Sequence, residues 1–245
     1  MKTIVVQGAV RGELSVLEQL LPGGEWRENS GYPFYETALG GSRVVLSRTR
    51  VGTIHAAVST TLAALTYRPD CVINQGTAGG HTREMRVGDM VLGETAVYIN
   101  NMRSPLRGRG EGSNALEWWP GERRSFSLPA DPRLLAIAQS VAYDGRAVTY
   151  DGRAVTGRLG SGDLFSRETD RIDRLHAQLG ELCEDMESAA VYKACADFSI
   201  PVLGVRVISN NELTGENDDA ARYDGVQRKL QRYIFAVLCE MERRL

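Results

Sequence analysis

Residues 180–211 read GELCEDMESAAVYKACADFSIPVLGVRVISNN. The spacing predicts a strand, a helix and a second strand. Glu181–Glu184 is short and leads into Asp185-Met186-Glu187. A helical run follows, with Ala189, Ala190, Val191, Ala194 and Cys195 on its apolar side and Lys193 and Asp197 on its polar side. Pro201 stops it. Val202–Ile208 is nearly all apolar, broken by Gly204 and Arg206, as suits a strand buried on both faces. Polar clusters therefore sit where a strand meets a helix (Asp185–Glu187) and where a strand ends (Ser209-Asn210). Ligand sites of α/β sheets concentrate at such places.

Outward from this unit, strands and helices alternate along the chain. Thr3–Val6 is strand-like, and a turn at Gly8–Glu13 opens a helix carrying Leu14, Leu17 and Leu21. Phe34–Leu39 and Arg43–Ser47 form a hairpin across Gly40-Gly41. A helix over 53–66 precedes a short strand, Cys71–Asn74, that runs into Gln75-Gly76-Thr77-Ala78-Gly79-Gly80. Asp89–Leu92 and Glu94–Tyr98 are two further strands, and Asp131–Ala142 is a helix with Pro132 in its first turn. Ala154–Leu159 is a strand ending at Gly160–Phe165, and helices cover 167–178 and 220–244. The pattern predicts one α/β domain over residues 1–245, with a mostly parallel or mixed sheet and helices on both faces. Residues 100–129 form an irregular insertion containing Trp118-Trp119. The heptapeptide YDGRAVT occurs twice in tandem, at 143–149 and 150–156, as a duplication that lengthens a helix-to-strand connection.

Composition excludes several classes. Hydrophobic residues make up 42%, charged residues 24%, and the formal charge is −2. This is an ordinary globular composition without a nucleic-acid or polybasic membrane surface. No apolar run approaches the ~18 residues of a membrane span, and MKTIVVQ reads as a first strand rather than a signal peptide. The four cysteines are widely spaced, as buried thiols of a reducing cytoplasm would be, and the three histidines do not cluster. No metal or organic cofactor is expected.

If the strands are parallel, one sheet edge gathers most of Gly8–Glu13, Arg50-Val51-Gly52, Gly76–Gly80, Ser161–Phe165, Arg206–Asn210 and Glu187. Two carboxylates, an aromatic ring, an amide and small residues suit cleavage at a sugar carbon: one carboxylate activates water and the other holds hydroxyls. Singly, each has a plainer reading. Glu13 and Glu187 also suit helix N-termini, Gly76–Gly80 suits any tight turn, and Phe165 suits a core. Arg206 is different, because a charge inside an apolar strand needs a partner.

Together, NQGTAGG at 74–80, SGDLF at 161–165, EDMESAAV at 184–191 and VRVISNN at 205–211 resemble the motif series of the nucleoside phosphorylase/nucleosidase superfamily. Within it they are most similar to the methylthioadenosine/S-adenosylhomocysteine nucleosidase branch. GAVRGE at 8–13 and VGDMVLGE at 87–94 extend the resemblance over nearly the whole chain. It implies a single α/β domain with a central mixed, partly closed sheet, in a cytoplasmic homodimer acting on a purine nucleoside. At matching positions it implies that Glu13 activates water, Glu187 holds the ribose hydroxyls beside Met186, and Phe165 stacks on the purine. The backbone of Ser166 would read the base edge. Val51, Thr77, Ala78 and Gly79 would line the pocket, and Arg206 and Ser209 would support the next residue.

That residue departs from the pattern. The family has an aspartate that protonates purine N7; this chain has Asn210. An amide hydrogen-bonds N7 without delivering a proton. Three readings follow: a 6-oxopurine preference, as with the asparagine of the trimeric purine nucleoside phosphorylases; an acid supplied by Asp163, Asp218 or Asp219; or a nucleoside-binding protein that cleaves poorly. A phosphorylase is the other alternative. Asn74 stands where the hexameric phosphorylases carry an arginine, which favours water, whereas Arg11, Arg48 and Arg50 are placed to rim an anion site. Trp118 and Trp119 either shape the 5′ pocket or pack a dimer interface.

Overall fold

The first apolar run, Ile4-Val5-Val6, is fully buried and lies in the middle of a sheet. In the computed structural model, which describes residues 1–120, 127–143, 145–146, 151–217 and 220–244, this strand is β1 (Thr3–Gly8). A single 3₁₀ turn, Arg11–Glu13, and α1 (Ser15–Leu20) follow. Then come β2 (Glu25–Asn29), β3 (Tyr32–Leu39) and β4 (Ser42–Arg48), an antiparallel meander. The sequence did not announce β2, whose EWREN is polar and lies at the edge of the sheet.

Next are α2 (Thr53–Tyr67), β5 (Cys71–Gly80) and β6 (Met90–Tyr98). β5 runs to Gly80 rather than ending at the expected Asn74, because its glycine-rich half keeps pairing. The two strands expected at 89–98 are one strand running through Gly93. β7 (Ser127–Pro129), α3 (Pro132–Ser140), β8 (Ala154–Ser161), α4 (Thr169–Leu179), β9 (Glu181–Asp185), α5 (Ser188–Asp197), β10 (Val202–Asn211), β11 (Glu216–Asn217) and α6 (Ala220–Arg244) complete the main elements. The tandem repeat lies between α3 and β8. Gly145 pairs with Gly152 and Arg146 with Asp151, and the residues between them lie outside the described residues.

β1 is parallel to β4 and β5, and β5 is parallel to β10. β9 runs antiparallel to β5, and β6 antiparallel to β10, while β8 lies parallel to both β6 and β9. The strands β5, β10, β6, β8 and β9 thus close into a ring, the expected mixed and partly closed sheet. The expectation that parallel strands bring most of the clusters to one edge needs correction. Ser161–Phe165 and Asp185–Glu187 follow strands that run opposite to β1, β4, β5 and β10. They reach the same place because Glu184 pairs with Gly79 on the second half of β5.

Helices cover both faces of the sheet. On one, Leu14 and Leu17 near α1, Leu134 and Ile137 of α3, and Leu230, Ile234, Val237, Leu238 and Met241 of α6 share a core with β1 and β10. The α6 positions recur at helical spacing. On the other face, Ala56 and Ala63 of α2 and Val191, Tyr192 and Cys195 of α5 pack under Val45, Val72 and Val91. Among the described residues no helix is long and apolar enough to cross a membrane.

Candidate active site

A cavity of about 310 Å³ opens at the ends of β1, β5 and β10. Glu13, Val51, Thr77, Ala78, Gly79, Phe165, Met186, Glu187, Ser209 and Asn210 all line it. Ser166 lines a smaller hollow of about 40 Å³ that shares Gly79, Phe165, Met186 and Asn210 with the first. Of the expected site residues, Arg206 alone lies behind the wall.

Glu13 is placed by the 3₁₀ turn that follows β1. Its Oε2 accepts the N–H of Ala9 at 2.6 Å and of Val10 at 3.4 Å, and its Oε1 accepts the N–H of Thr77 at 3.1 Å. Gln75 Nε2 donates to the Glu13 carbonyl at 2.5 Å. Gly76 is required here: a Cβ at that position would meet Glu13 Oε1 at 2.8 Å. Burial pushes the Glu13 carboxyl above its ordinary value, opposed by the nearby Arg206 charge and the three backbone N–H groups.

Glu187 enters from the turn between β9 and α5. Its Oε1 accepts the N–H of Gly52 at 3.1 Å. Gly52 precedes α2 with φ +107°, which a side chain rarely tolerates. Burial, the Asp185 charge and the Glu13 charge push the Glu187 carboxyl up to about 7, against the lowering effect of Arg206 and the Gly52 N–H.

Arg206 is 1% exposed. Its Nε lies 3.1 Å from Asp185 Oδ2, and Nη2 lies 3.9 Å from Glu187 Oε2. Nη1 donates to the Asn74 carbonyl at 3.1 Å and Nη2 to Asn74 Oδ1 at 2.5 Å. The expected partner for this charge is therefore present, in Asp185, which also accepts the N–H groups of Glu187 (2.8 Å) and Ser188 (2.7 Å). Support of Asn210 by Arg206 is not observed: Nη1 donates to the Asn74 and Val205 carbonyls, Nη2 donates to Asn74 Oδ1, and Nε lies against Asp185. Ser209 Oγ lies 3.1 Å from Asn210 Oδ1 and 3.3 Å from the Ala78 carbonyl, either of which can accept its proton. Sequence reasoning grouped Asp185 with its neighbours but missed its pairing with Arg206. The unpaired strand charge was the signal for it.

A bulge between Ile208 and Asn210 sets Asn210 opposite Gly79. Its Nδ2 donates to Glu212 Oε1 at 3.4 Å. Phe165 is no core aromatic; it is 59% exposed at the cavity mouth. Asp163, one of the alternative acids, stands outside the cavity lining. Its carboxylate accepts the N–H of Thr53 at 2.7 Å and the Thr53 hydroxyl. Asp218 and Asp219 lie outside the described residues. The arginine rim is not formed by Arg11, Arg48 and Arg50: none lines the cavity, and Arg50 lies over the Tyr32 ring at 5.1 Å. Trp118 packs near α4, where Arg174 donates to its carbonyl at 2.9 Å, away from the cavity.

The sequence also gave no sign of a buried cluster beside the cavity. His81 Nδ1 lies 2.9 Å from Glu181 Oε1, and Nε2 lies 2.9 Å from Glu184 Oε2. Their separation by a hundred residues hid the cluster. A larger apolar groove of about 570 Å³ lies along α2 and α5, beside Ile54 and Phe198. Among the described residues it is lined by no pair of buried acids.

A sequence model of the phosphorylase superfamily matches residues 3–241. The chain belongs to that superfamily. This phosphorylase-superfamily chain is 32% identical over 217 residues to the 5′-methylthioadenosine/S-adenosylhomocysteine nucleosidase of Geobacillus kaustophilus, covering 88% of this chain and 86% of that one. It is 31% identical over 205 residues to the enzyme of the same name from Aeromonas salmonicida, covering 83% and 84%. The fold matches the Neisseria meningitidis nucleosidase solved with methylthio-immucillin-A (TM-score 0.76, 23% identity, all of both chains). It also matches a futalosine hydrolase mutant of Helicobacter pylori (TM-score 0.79, 20% identity, 98% and 100% covered). The expected resemblance to the superfamily, and to its nucleosidase branch, holds; the chain is an enzyme of the nucleosidase kind.

Proposed function

We propose that this protein hydrolyses the N-glycosidic bond of a purine nucleoside, with Glu13 activating the attacking water and Glu187 holding the sugar hydroxyls. The observation that carries the proposal is the pair of buried carboxylates in one cavity, facing an exposed aromatic ring and an amide. Departure of the base leaves positive charge on the sugar, and two carboxylates beside it stabilise that charge. A raised pKa makes Glu13 a stronger base toward water near neutral pH. Phe165 offers a face for the purine, and Met186 an apolar floor for the sugar. The nucleosidase names of the sequence relatives support the reaction class.

Water is favoured over phosphate as the nucleophile. Among the described residues, no lysine or arginine lines the cavity, so a phosphate dianion would enter beside two carboxylates uncompensated.

Both carboxylates work in their ionised form. With Glu187 near 7, protonation below that value removes the active form, so kcat/KM rises as pH increases and levels off above about 7. A pH–rate profile of the free enzyme checks this; activity that falls steadily from pH 5 to 8 would contradict it.

Asn210 makes the enzyme poor at cleavages that need N7 protonated by the protein. Asn210→Asp is expected to raise methylthioadenosine cleavage by about 10²-fold or more, the usual contribution of a general acid. Chromatography of released adenine reads it. No gain in the variant would mean that the position does not govern departure of the base.

A further inference from the structure

We infer that Glu184 selects the base, accepting the ring N1–H of a 6-oxopurine. This rests on the nucleoside reading of the cavity above and names the class of base it takes. Glu184 is 7% exposed and lines both the main cavity and the smaller hollow, beside Phe165, Asn210 and Glu212. Its Oε2 faces His81 Nε2 at 2.9 Å, whereas its Oε1 is buried and has no hydrogen-bond partner among the described residues. Glu181 holds the other ring nitrogen of His81, so the imidazole cannot turn away. Burial alone would push that imidazole down, but the two glutamates raise it to about 9. The imidazole ring, clamped between the two glutamates, spends its Nε2 on Glu184 Oε2 at 2.9 Å, and a carboxylate oxygen left over beside it offers a ligand an acceptor.

A buried acceptor without a donor is costly, and a ligand donor placed there is correspondingly selected. The neighbouring groups define which donor fits. Asn210 Oδ1 lies 3.1 Å from the Ser209 hydroxyl, and one Nδ2 hydrogen goes to Glu212, which leaves the second Nδ2 hydrogen for the ligand. A 6-oxopurine presents acceptors at N7 and O6 to that amide and, next to them, the N1–H to Glu184. An aminopurine sets its 6-amino donor against the amide hydrogens and turns the N1 lone pair toward the carboxylate. The neighbouring Glu212 does not compete, since Arg167 Nε lies 3.5 Å from its other oxygen.

The test is calorimetric titration of the unmodified protein with hypoxanthine, 1-methylhypoxanthine and adenine, repeated on Glu184→Gln. Hypoxanthine is expected to bind at least 10-fold tighter than either competitor. The hypoxanthine-to-adenine ratio should fall about 10- to 100-fold in the variant, the worth of a hydrogen bond to a charged group. The methylated base removes the N1–H without touching the protein, so a misfolded variant cannot decide the outcome. Adenine binding as tightly as hypoxanthine, no binding of any base, or a ratio unmoved by Glu184→Gln would overturn the inference. Release of base from nucleosides is scored separately. Selective binding without any hydrolysis would sink the nucleosidase reading and keep this one, and efficient cleavage of adenosine with an unmoved ratio would do the reverse.

Discussion

Glu13→Gln is expected to lower kcat/KM for base release by about 10²–10⁴-fold, the contribution of a positioned general base. The loss should fall on kcat. Glutamine has nearly the same volume and retains one acceptor oxygen, so it can keep either the Ala9 or the Thr77 hydrogen bond. The amide nitrogen cannot accept the other, which costs roughly 1–3 kcal/mol of stability for an unsatisfied buried donor. A thermal melt taken beside the kinetics separates the two effects. A folded variant with unaltered turnover would remove Glu13 from the mechanism. The carboxylate is held by three backbone N–H groups, from Ala9, Val10 and Thr77. Its position is therefore fixed before substrate arrives, which is where much of an enzyme's rate advantage lies.

The second large effect is structural. Arg206→Met is expected to destabilise the protein by about 3–5 kcal/mol, the cost of leaving buried partners of an ion pair uncompensated. Asp185 loses its cation, and Glu187 and Glu13 lose the charge that opposes the upward push of burial. For a chain of this size each kcal/mol moves Tm by about 2–4 °C, so the shift is on the order of 10 °C. Arg206→Lys should recover only part of it. A lysine keeps the charge but cannot reach the Asn74 carbonyl, the Asn74 amide oxygen and Asp185 together, as the guanidinium fork does. Denaturant unfolding of the three proteins decides; a Met variant as stable as the parent would mean that the pair is energetically idle. The activity of Arg206→Met should fall as well, since the Glu13 and Glu187 carboxyls would then hold their protons to higher pH.

Much of this was legible in the chain. Buried strands such as Val202–Ile208 announce themselves because their side chains are apolar apart from Gly204 and Arg206, and Arg206 stands out against them. The polar clusters at strand ends led to ten residues that share one cavity. What failed to show had physical reasons. The strand Glu25–Asn29 is polar because it is an edge. The glycine-rich half of Cys71–Gly80 reads as a turn, but its backbone remains paired with β10 and β9. Strand direction is invisible to a local pattern, and so the placement of Phe165 and Glu187 at one site rests on antiparallel pairing that no single segment encodes. The His81, Glu181 and Glu184 cluster depends on long-range closure of the ring, and each residue alone looks like a surface charge. Phe165 misleads in the other direction, since an aromatic beside a leucine suggests a core and this one is exposed at the cavity.

The most direct measurement is base release in phosphate-free buffer, followed by chromatography, from methylthioadenosine, adenosine, inosine and guanosine. Parent protein and Glu13→Gln would be run side by side, with the parent repeated in added phosphate. Hydrolysis through Glu13 predicts free base and free sugar from the parent without phosphate, unchanged by its addition and lost in the variant. Release that requires phosphate, or that survives the loss of the Glu13 carboxylate, would contradict it.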